Sequence, residues 1–189
     1  MKIIQICGTN GVGKTTLMKN LLANGNFEKN AVSIDGVQKE YWFDGEIAVV
    51  GKYNDANCCG VDAGNYSGEV LLKTLDKVIT EVKPDVVVFE DVRFGGSFAF
   101  KERLNKLTRQ RKCAYTLVNL IASPECSCNR VLNRSGRMNA DYDAMISKAR
   151  GVIKSSRKAA NLGARALFFD TGVNGQGETL RFLLNVING

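Results

Sequence analysis

One stretch decides the fold of this chain: Gly8-Thr9-Asn10-Gly11-Val12-Gly13-Lys14-Thr15. It matches the phosphate-loop pattern G-x-x-x-x-G-K-S/T in full, and it follows an apolar run, 2–7, that predicts a buried strand. Glycines let several backbone N–H groups converge on one anion, where side chains would block the approach. A helix predicted to begin near Lys14 would direct its unpaired N–H groups at the same point. The stretch therefore predicts a loop between a strand and a helix that binds the phosphates of a nucleotide.

The end of this pattern carries chemistry as well as binding. Lys14 is expected to reach the β- and γ-phosphates, where it is a candidate catalytic residue, and the Thr15 hydroxyl is expected to bind Mg²⁺. ATP and Mg²⁺ are thus the expected cofactors. The residues expected to hold the nucleotide here are Asn10, Gly11, Val12, Gly13, Lys14, Thr15 and Thr16.

Composition excludes several other classes of protein. The 189 residues carry a net charge of +7, which favours an acidic partner without choosing between a nucleotide and a nucleic acid. The chain has no histidine, so histidine-based triads and most catalytic zinc sites are excluded. No apolar run approaches the roughly 18 residues of a membrane span, and six cysteines are more typical of reduced intracellular thiols than of a disulfide framework. We therefore expect a single domain over 1–189 in the cytoplasm, with no membrane partner.

Strands and helices are predicted to alternate along the chain. Five apolar strands are expected, at 2–7, 31–35, 85–91, 113–121 and 166–170. Helices between them imply a three-layer α/β fold with a mostly parallel five-stranded sheet. The Asp44-Gly45 pair lies between two short runs and predicts an inserted β-hairpin at about 39–52. Ligands of such sheets bind at the carboxyl ends of the strands, which is where the phosphate loop falls.

Acidic residues near these strand ends are the candidates for metal binding and for the catalytic base. Glu90 and Asp91 end an apolar strand, and because successive residues face opposite sides, only one of them should face the nucleotide. We assign Asp91 to the metal and Glu90 to catalysis, although the sequence alone does not decide between the two. The base that accepts a proton from an acceptor hydroxyl has two further candidates, Asp35 and Asp62.

Arginines after the fourth strand suggest a lid over the nucleotide. Arg130 and Arg134 are four residues apart on a predicted helix, and a Ser135-Gly136 break follows, so a lid at about 130–140 could bring guanidinium groups onto the transferred phosphate. Arg134 is therefore also a candidate catalytic residue. Basic residues form three clusters in all: Lys101, Arg103, Lys106, Arg109, Arg111 and Lys112; Arg130, Arg134 and Arg137; and Lys148, Arg150, Lys154, Arg157 and Lys158.

Together these features resemble the P-loop kinase superfamily of nucleoside and nucleotide kinases. The phosphate loop follows the first strand, Glu90-Asp91 ends a later strand, and arginines follow at 130. In that superfamily an arginine commonly comes directly after the acidic residue, whereas here the nearest one is Arg93. A narrower resemblance, on 50–53, 58–62 and 88–91, is to bacteriophage kinases that phosphorylate 5-hydroxymethyluracil already incorporated in DNA.

The resemblance implies alternative acceptors for the transferred phosphate. If the narrower one holds, the acceptor is the hydroxymethyl group of a modified pyrimidine, the basic clusters hold the DNA backbone, and the enzyme acts in the host cytoplasm. The alternative acceptor is a free deoxynucleotide, as in a deoxynucleoside monophosphate kinase. A third alternative is a nucleotide-hydrolysing switch or motor, against which the chain shows no N-K-x-D guanine-specificity motif.

Overall fold

A computed structural model describes residues 1–53, 60–63, 66–135 and 141–189. Strands and helices alternate through most of the chain, as the apolar pattern predicts. The elements are β1 (Lys2–Cys7), α1 (Lys14–Ala23), β2 (Glu28–Ile34), β3 (Val37–Phe43), β4 (Ile47–Val50), α2 (Gly68–Lys77), β5 (Val86–Glu90), α3 (Phe98–Gln110), β6 (Ala114–Ile121), α4 (Pro124–Ser135), α5 (Tyr142–Asn161), β7 (Arg165–Asp170) and α6 (Gln176–Asn188). A π-helical turn, Val78–Val82, extends α2.

The sheet is a single mixed sheet of seven strands in the order β2-β3-β4-β5-β1-β6-β7. Strands β4, β5, β1, β6 and β7 are parallel, whereas β3 runs antiparallel to both of its neighbours. The prediction of a five-stranded sheet with a separate inserted hairpin was therefore wrong in detail. The predicted turn at Asp44-Gly45 does join β3 to β4, but β4 then pairs with β5 inside the main sheet. Its residues Ala48, Val49 and Val50 have no exposed surface, as a strand covered on both faces requires.

A second Asp-Gly turn explains why the strand predicted at 31–35 lies at the sheet edge. Asp35 and Gly36 both have positive φ angles, 49° and 81°, and Ile34 pairs directly with Val37. Two-residue hairpin turns with positive φ at both positions favour Asp-Gly. Strand β2 consequently folds back on β3 and forms an edge instead of entering the parallel core.

Helices cover both faces of the sheet and give two apolar cores. One core lies under α1 and α6, and the other under α2, α3 and α5. Residues of β5 alternate between them: Val86 and Val88 face the α1 side, while Val87 and Phe89 face the α3 side. The same alternation sends Glu90 towards α1 and Asp91 towards α3. This places the two acidic residues on opposite sides of the sheet.

A helix that crosses a lipid bilayer needs about 20 mainly apolar residues. Among the helices in residues 1–53, 60–63, 66–135 and 141–189, none combines the length and the hydropathy needed to cross a membrane.

Candidate functional site

The phosphate loop connects β1 to α1, as predicted, and its shape depends on glycine. Gly11 has a φ of 79°, and a Cβ atom there would lie 2.3 Å from the carbonyl oxygen of Ser127 in α4. At Gly8 a Cβ atom would lie 2.7 Å from the carbonyl oxygen of Leu120 in β6. No side chain fits at such distances, so the backbone of the loop packs directly on its neighbours. Helix α1 begins at Lys14, and its free N–H groups point into the loop.

Lys14 is buried within the loop. Its ammonium donates hydrogen bonds to the carbonyl oxygens of Thr9, at 2.8 Å, and Gly8, at 3.1 Å. Burial lowers the pKa of this ammonium, and the neighbouring carboxylates, Glu90 first, oppose that effect. The cation is thus held at the loop by carbonyl oxygens, where a phosphate can replace them as its partner.

Glu90 lies beside Thr15, at the end of β5. Its side chain is only 2% exposed and lies close enough to the Thr15 side chain for that group to affect its pKa. Burial raises the pKa of the Glu90 carboxyl to about 7, and Lys14 and Thr15 counteract part of that rise. The Oε1 atom is buried without a hydrogen-bond partner among the described residues. A buried carboxylate oxygen without a partner is costly, so a cation or a hydrogen-bond donor at this atom would be stabilising.

Asp91 has a different environment on the other side of the sheet. Its Oδ2 accepts a hydrogen bond from Gln5 at 2.7 Å, and its Oδ1 accepts one from the backbone N–H of Phe94 at 2.8 Å. Burial raises the pKa of Asp91 to about 6. Oδ1 thus holds the turn after β5, Oδ2 is bonded to β1, and Asp91 is not among the residues that line the cleft around the phosphate loop. Of the two acidic residues, Glu90 is the one on the side of the phosphate loop, and the metal-binding role of Asp91 stays a prediction.

Asp35 and Asp62, the two further candidates for the catalytic base, lie in different parts of the structure. Asp62 lines the cleft, where it accepts a hydrogen bond from the backbone N–H of Val92 at 2.9 Å and approaches Arg93 to 3.7 Å. Asp35 lies in the β2–β3 turn and is exposed, and its carboxylate pairs with Lys73 at 2.8 Å. The sequence predicts Asp35 as a candidate base at the end of the second strand. The Asp-Gly turn instead directs it to α2 and outside the cleft.

Arg130 extends from α4 to the phosphate loop. Its guanidinium donates to the backbone oxygen of Thr171 at 2.7 Å and to that of Gly11 at 3.3 Å. The Thr171 hydroxyl in turn donates to the Val12 carbonyl oxygen at 2.8 Å. These bonds join α4, the loop after β7 and the phosphate loop. The side chain of Arg134 and the rest of the predicted lid, 136–140, lie outside the described residues.

The cleft around the loop has a volume of about 1010 Å³ and two ends. All seven predicted nucleotide-holding residues from Asn10 to Thr16 line it. Most of the residues that line the two ends of the cleft could not be predicted from the sequence, because segments far apart along the chain come together there. One end, the β7 end, is lined by Asn20, Arg130, Thr171, Asn174, Gly175, Gln176 and Thr179, and the other, the β5 end, by Asp62, Val92, Arg93, Gly96, Lys148, Gly151 and Val152.

The basic clusters differ in what they contact. In the first, Arg103 pairs with Glu69, Arg111 pairs with Asp76 at 2.6 Å, and Arg109 donates to the Leu162 carbonyl oxygen. These contacts join the end of α3 and its arginines to α2 and to the end of α5. In the third, Lys148 lines the cleft, while Arg150, Lys154, Arg157 and Lys158 are exposed on α5. Their spacing of four, three and one residues places the four on one helix face.

The two buried carboxyls give a testable dependence of stability on pH. An unfolded chain releases their protons near the ordinary values of 4.5 for Glu90 and 3.8 for Asp91, whereas the folded chain holds them up to about 7 and about 6. The folded state therefore binds more protons in this range, and its free energy of unfolding should fall as pH rises towards 7, then level off. Urea unfolding of the protein without nucleotide or metal measures this.

A matched pair of variants isolates the contribution of Glu90 to that dependence. Glu90→Gln should remove the fall between about pH 6 and pH 7 and make the fall between about pH 4.5 and pH 6 less steep, because Asp91 alone then contributes there. Glu102→Gln, on an exposed part of α3, should leave the whole profile unchanged. An unaltered fall in Glu90→Gln would contradict the burial of an uncompensated carboxyl at this position.

Comparison with known proteins adds evidence on the fold. No protein-family model and no curated protein sequence matches the chain. The YorR protein from Bacillus subtilis, solved in complex with phosphorylated GDP, is similar in structure: it is 15% identical with a TM-score of 0.61, over 99% of this chain and 96% of that one. Deoxyadenosine kinase from M. mycoides is similar too, with bound dATP (13% identity, TM-score 0.52, all of both chains) and with bound dCTP (12%, 0.51, 98% of both). The chain therefore shares the overall fold of these proteins.

Proposed function

We propose that this protein is a Mg²⁺- and ATP-dependent phosphotransferase that acts on a nucleotide in the cytoplasm. The observation that carries the proposal is the arrangement at the phosphate loop, where a buried lysine, a threonine hydroxyl and a buried carboxylate, Glu90, come together. One oxygen of that carboxylate has no hydrogen-bond partner in the part of the chain that the structure describes. A triphosphate and its metal would give all three groups the partners that their burial requires.

The residues present fit a magnesium ion. Mg²⁺ prefers oxygen ligands and is usually held by one or two protein groups together with water and phosphate oxygens. Thr15 and Glu90 supply a hydroxyl and a carboxylate side by side. When bound, the metal would neutralise charge on the phosphates.

The remaining groups of the cleft suggest how transfer proceeds. Lys14 and the loop N–H groups stabilise the negative charge of the transferred phosphate, and Arg130 adds a guanidinium near the same loop. Arg134 would contribute from the lid. Where the acceptor is a hydroxyl, as in hydroxymethyluracil, Asp62 would orient it and accept its proton, because Asp62 is the carboxylate at the β5 end that does not lie beside Thr15. A phosphate acceptor needs no such base.

A free deoxynucleotide is the acceptor that the cleft favours. Two cations, Arg93 and Lys148, line the β5 end from different elements and would pair with an acceptor phosphate. At about 1010 Å³ the cleft lies at the upper limit for a single small ligand, as expected of one that holds a donor and an acceptor. The solved structures that resemble this chain contain mononucleotides, namely phosphorylated GDP, dATP and dCTP.

A hydroxymethyluracil base in DNA is the second candidate acceptor. The observation that favours it is the exposed basic face of α5, Arg150, Lys154, Arg157 and Lys158, which follows Lys148 along the helix away from the cleft. Four cations over about 12 Å of helix would suit a nucleic-acid backbone.

One assay distinguishes these functions. The protein is incubated with γ-labelled ATP and Mg²⁺ together with deoxynucleosides, deoxynucleoside monophosphates or a duplex containing hydroxymethyluracil. Label in a diphosphate supports the free-nucleotide function, and label in the duplex supports the DNA function. Label found only in inorganic phosphate would overturn both.

Duplex binding gives an independent measure for the second candidate. If the basic face of α5 holds DNA, the logarithm of the binding constant should fall against the logarithm of salt concentration with a slope of about −3 to −4. Charge reversal at Lys154 and Arg157 should remove about half of that slope. A duplex that does not bind at low salt would eliminate this candidate and leave the first one intact.

A further inference from the structure

We infer that Lys101 is a positioning residue that holds together the two walls of the β5 end of the cleft. This inference rests on the proposed function, in which the β5 end receives the acceptor. One wall is the segment after β5, which contributes Val92, Arg93 and Gly96, and the other is α5, which contributes Lys148 and Gly151.

The geometry around Lys101 connects these walls directly. Lys101 belongs to α3 and has no exposed surface. Its ammonium donates three hydrogen bonds: to the Gly95 carbonyl oxygen at 2.6 Å, to Ser155 Oγ at 2.8 Å and to Ser156 Oγ at 2.8 Å. Gly95 lies next to Gly96 in the first wall, and the two serines follow Gly151 by about one turn of α5. All three protons of the cation are therefore used in joining the walls.

Both walls that Lys101 joins are in turn fixed to the central sheet. Ser156 donates to Asn119 Oδ1 in β6 at 2.6 Å, and Asn119 donates to the Leu167 carbonyl oxygen in β7 at 3.0 Å. On the other side, Asp91 holds the turn before Gly95 through the Phe94 N–H. The chain of hydrogen bonds thus runs from one part of the sheet, through Lys101, to another.

Two glycines, Gly96 and Gly151, face each other across the walls. A Cβ atom at Gly96 would lie 4.0 Å from the carbonyl carbon of Gly151, an ordinary van der Waals distance. At this point the walls meet through residues without side chains, so the hydrogen bonds of Lys101 nearby are a stronger connection. A fully buried lysine is rare because its desolvation is costly, and burial lowers the pKa of this one. The hydrogen bonds by which Lys101 positions the two walls would offset this desolvation cost.

Lys101 does not itself line the cleft, so its effect must act through the walls. In Lys101→Met we expect the KM for the acceptor to rise about tenfold or more, because small displacements of a positioning group have effects of this size. The dissociation constant for ATP should change by less than about twofold, since the phosphate loop is built from other contacts. Lys106→Met, on an exposed position of the same helix, is the matched control and should change neither constant.

A measurement that needs no activity separates this inference from the proposed function. Hydrogen exchange of the segment 92–97 in the ligand-free protein should become faster in Lys101→Met and remain unchanged in Lys106→Met, whether or not the wild type transfers phosphate. If Lys101→Met fails to fold, the double variant Ser155→Ala and Ser156→Ala replaces it and should show the same selective changes. Equal weakening of acceptor and ATP binding, or unaltered exchange in the folded variant, would overturn the inference.

Discussion

Replacing Lys14 with alanine is expected to abolish phosphate transfer while the protein remains folded. The ammonium is the one buried cation that contacts the loop carbonyls among the described residues, and loss of such a group from a phosphate-transfer site costs roughly 10²- to 10³-fold in rate or more. The fold should tolerate the change, because the loop is shaped by glycine backbone and by the contact of Gly11 with Ser127. Burial already disfavours the charged form of Lys14, so its removal also relieves a desolvation cost.

Turnover and thermal unfolding of the same samples test this expectation. Lys106→Ala is the matched control, since Lys106 is an exposed lysine of α3. It should retain wild-type turnover, while Lys14→Ala should lose turnover and unfold within a few degrees of the wild type. Turnover retained in Lys14→Ala would remove the basis of the proposed function, because no other described group has this position in the loop.

The parts of the site that the sequence predicted are those that a local motif encodes. A phosphate loop needs particular backbone angles in consecutive residues, so glycine, lysine and threonine at fixed spacing specify it without help from the rest of the fold. For the same reason the strand before it and the helix after it were predicted at the positions the structure has. The lysine of the loop and its neighbour Thr15 both line the cleft.

Choices that depend on distant packing could not be predicted. Strand β5 is apolar on both faces, so no alternation of polar and apolar residues indicates which side Glu90 would face. That side is fixed only when α1 packs on the sheet. The β5 end similarly combines Arg93 and Lys148, which are far apart in sequence. The edge position of β2, in contrast, could have been predicted from the sequence. Asp35-Gly36 is the same turn signal as Asp44-Gly45.

The second large expected effect is on turnover and on the Mg²⁺ requirement, and it distinguishes Glu90 from Asp91 as the proposed carboxylate beside the metal. Glu90→Gln should lower turnover by roughly 10²-fold or more and raise the Mg²⁺ concentration needed for half-maximal activity, because the variant lacks the charge that faces the metal. Its stability without ligands should be equal to or greater than that of the wild type above about pH 7. The reason is that burial penalises the charged form of this carboxyl, which the amide replaces without a proton to lose.

Asp91→Asn is the matched comparison for that variant, with the opposite result expected. Its amide would face the Gln5 amide, whose own oxygen already accepts from Tyr115, so a buried hydrogen bond is lost at a cost of about 1–3 kcal/mol. The Mg²⁺ requirement should be nearly unchanged, because Asp91 lies on the other side of the sheet from Thr15. Turnover titrated with Mg²⁺ and urea unfolding at one pH are sufficient to compare the two variants. If Asp91→Asn shifts the Mg²⁺ requirement and Glu90→Gln does not, the metal belongs to Asp91 and the strand must present its end differently when nucleotide binds.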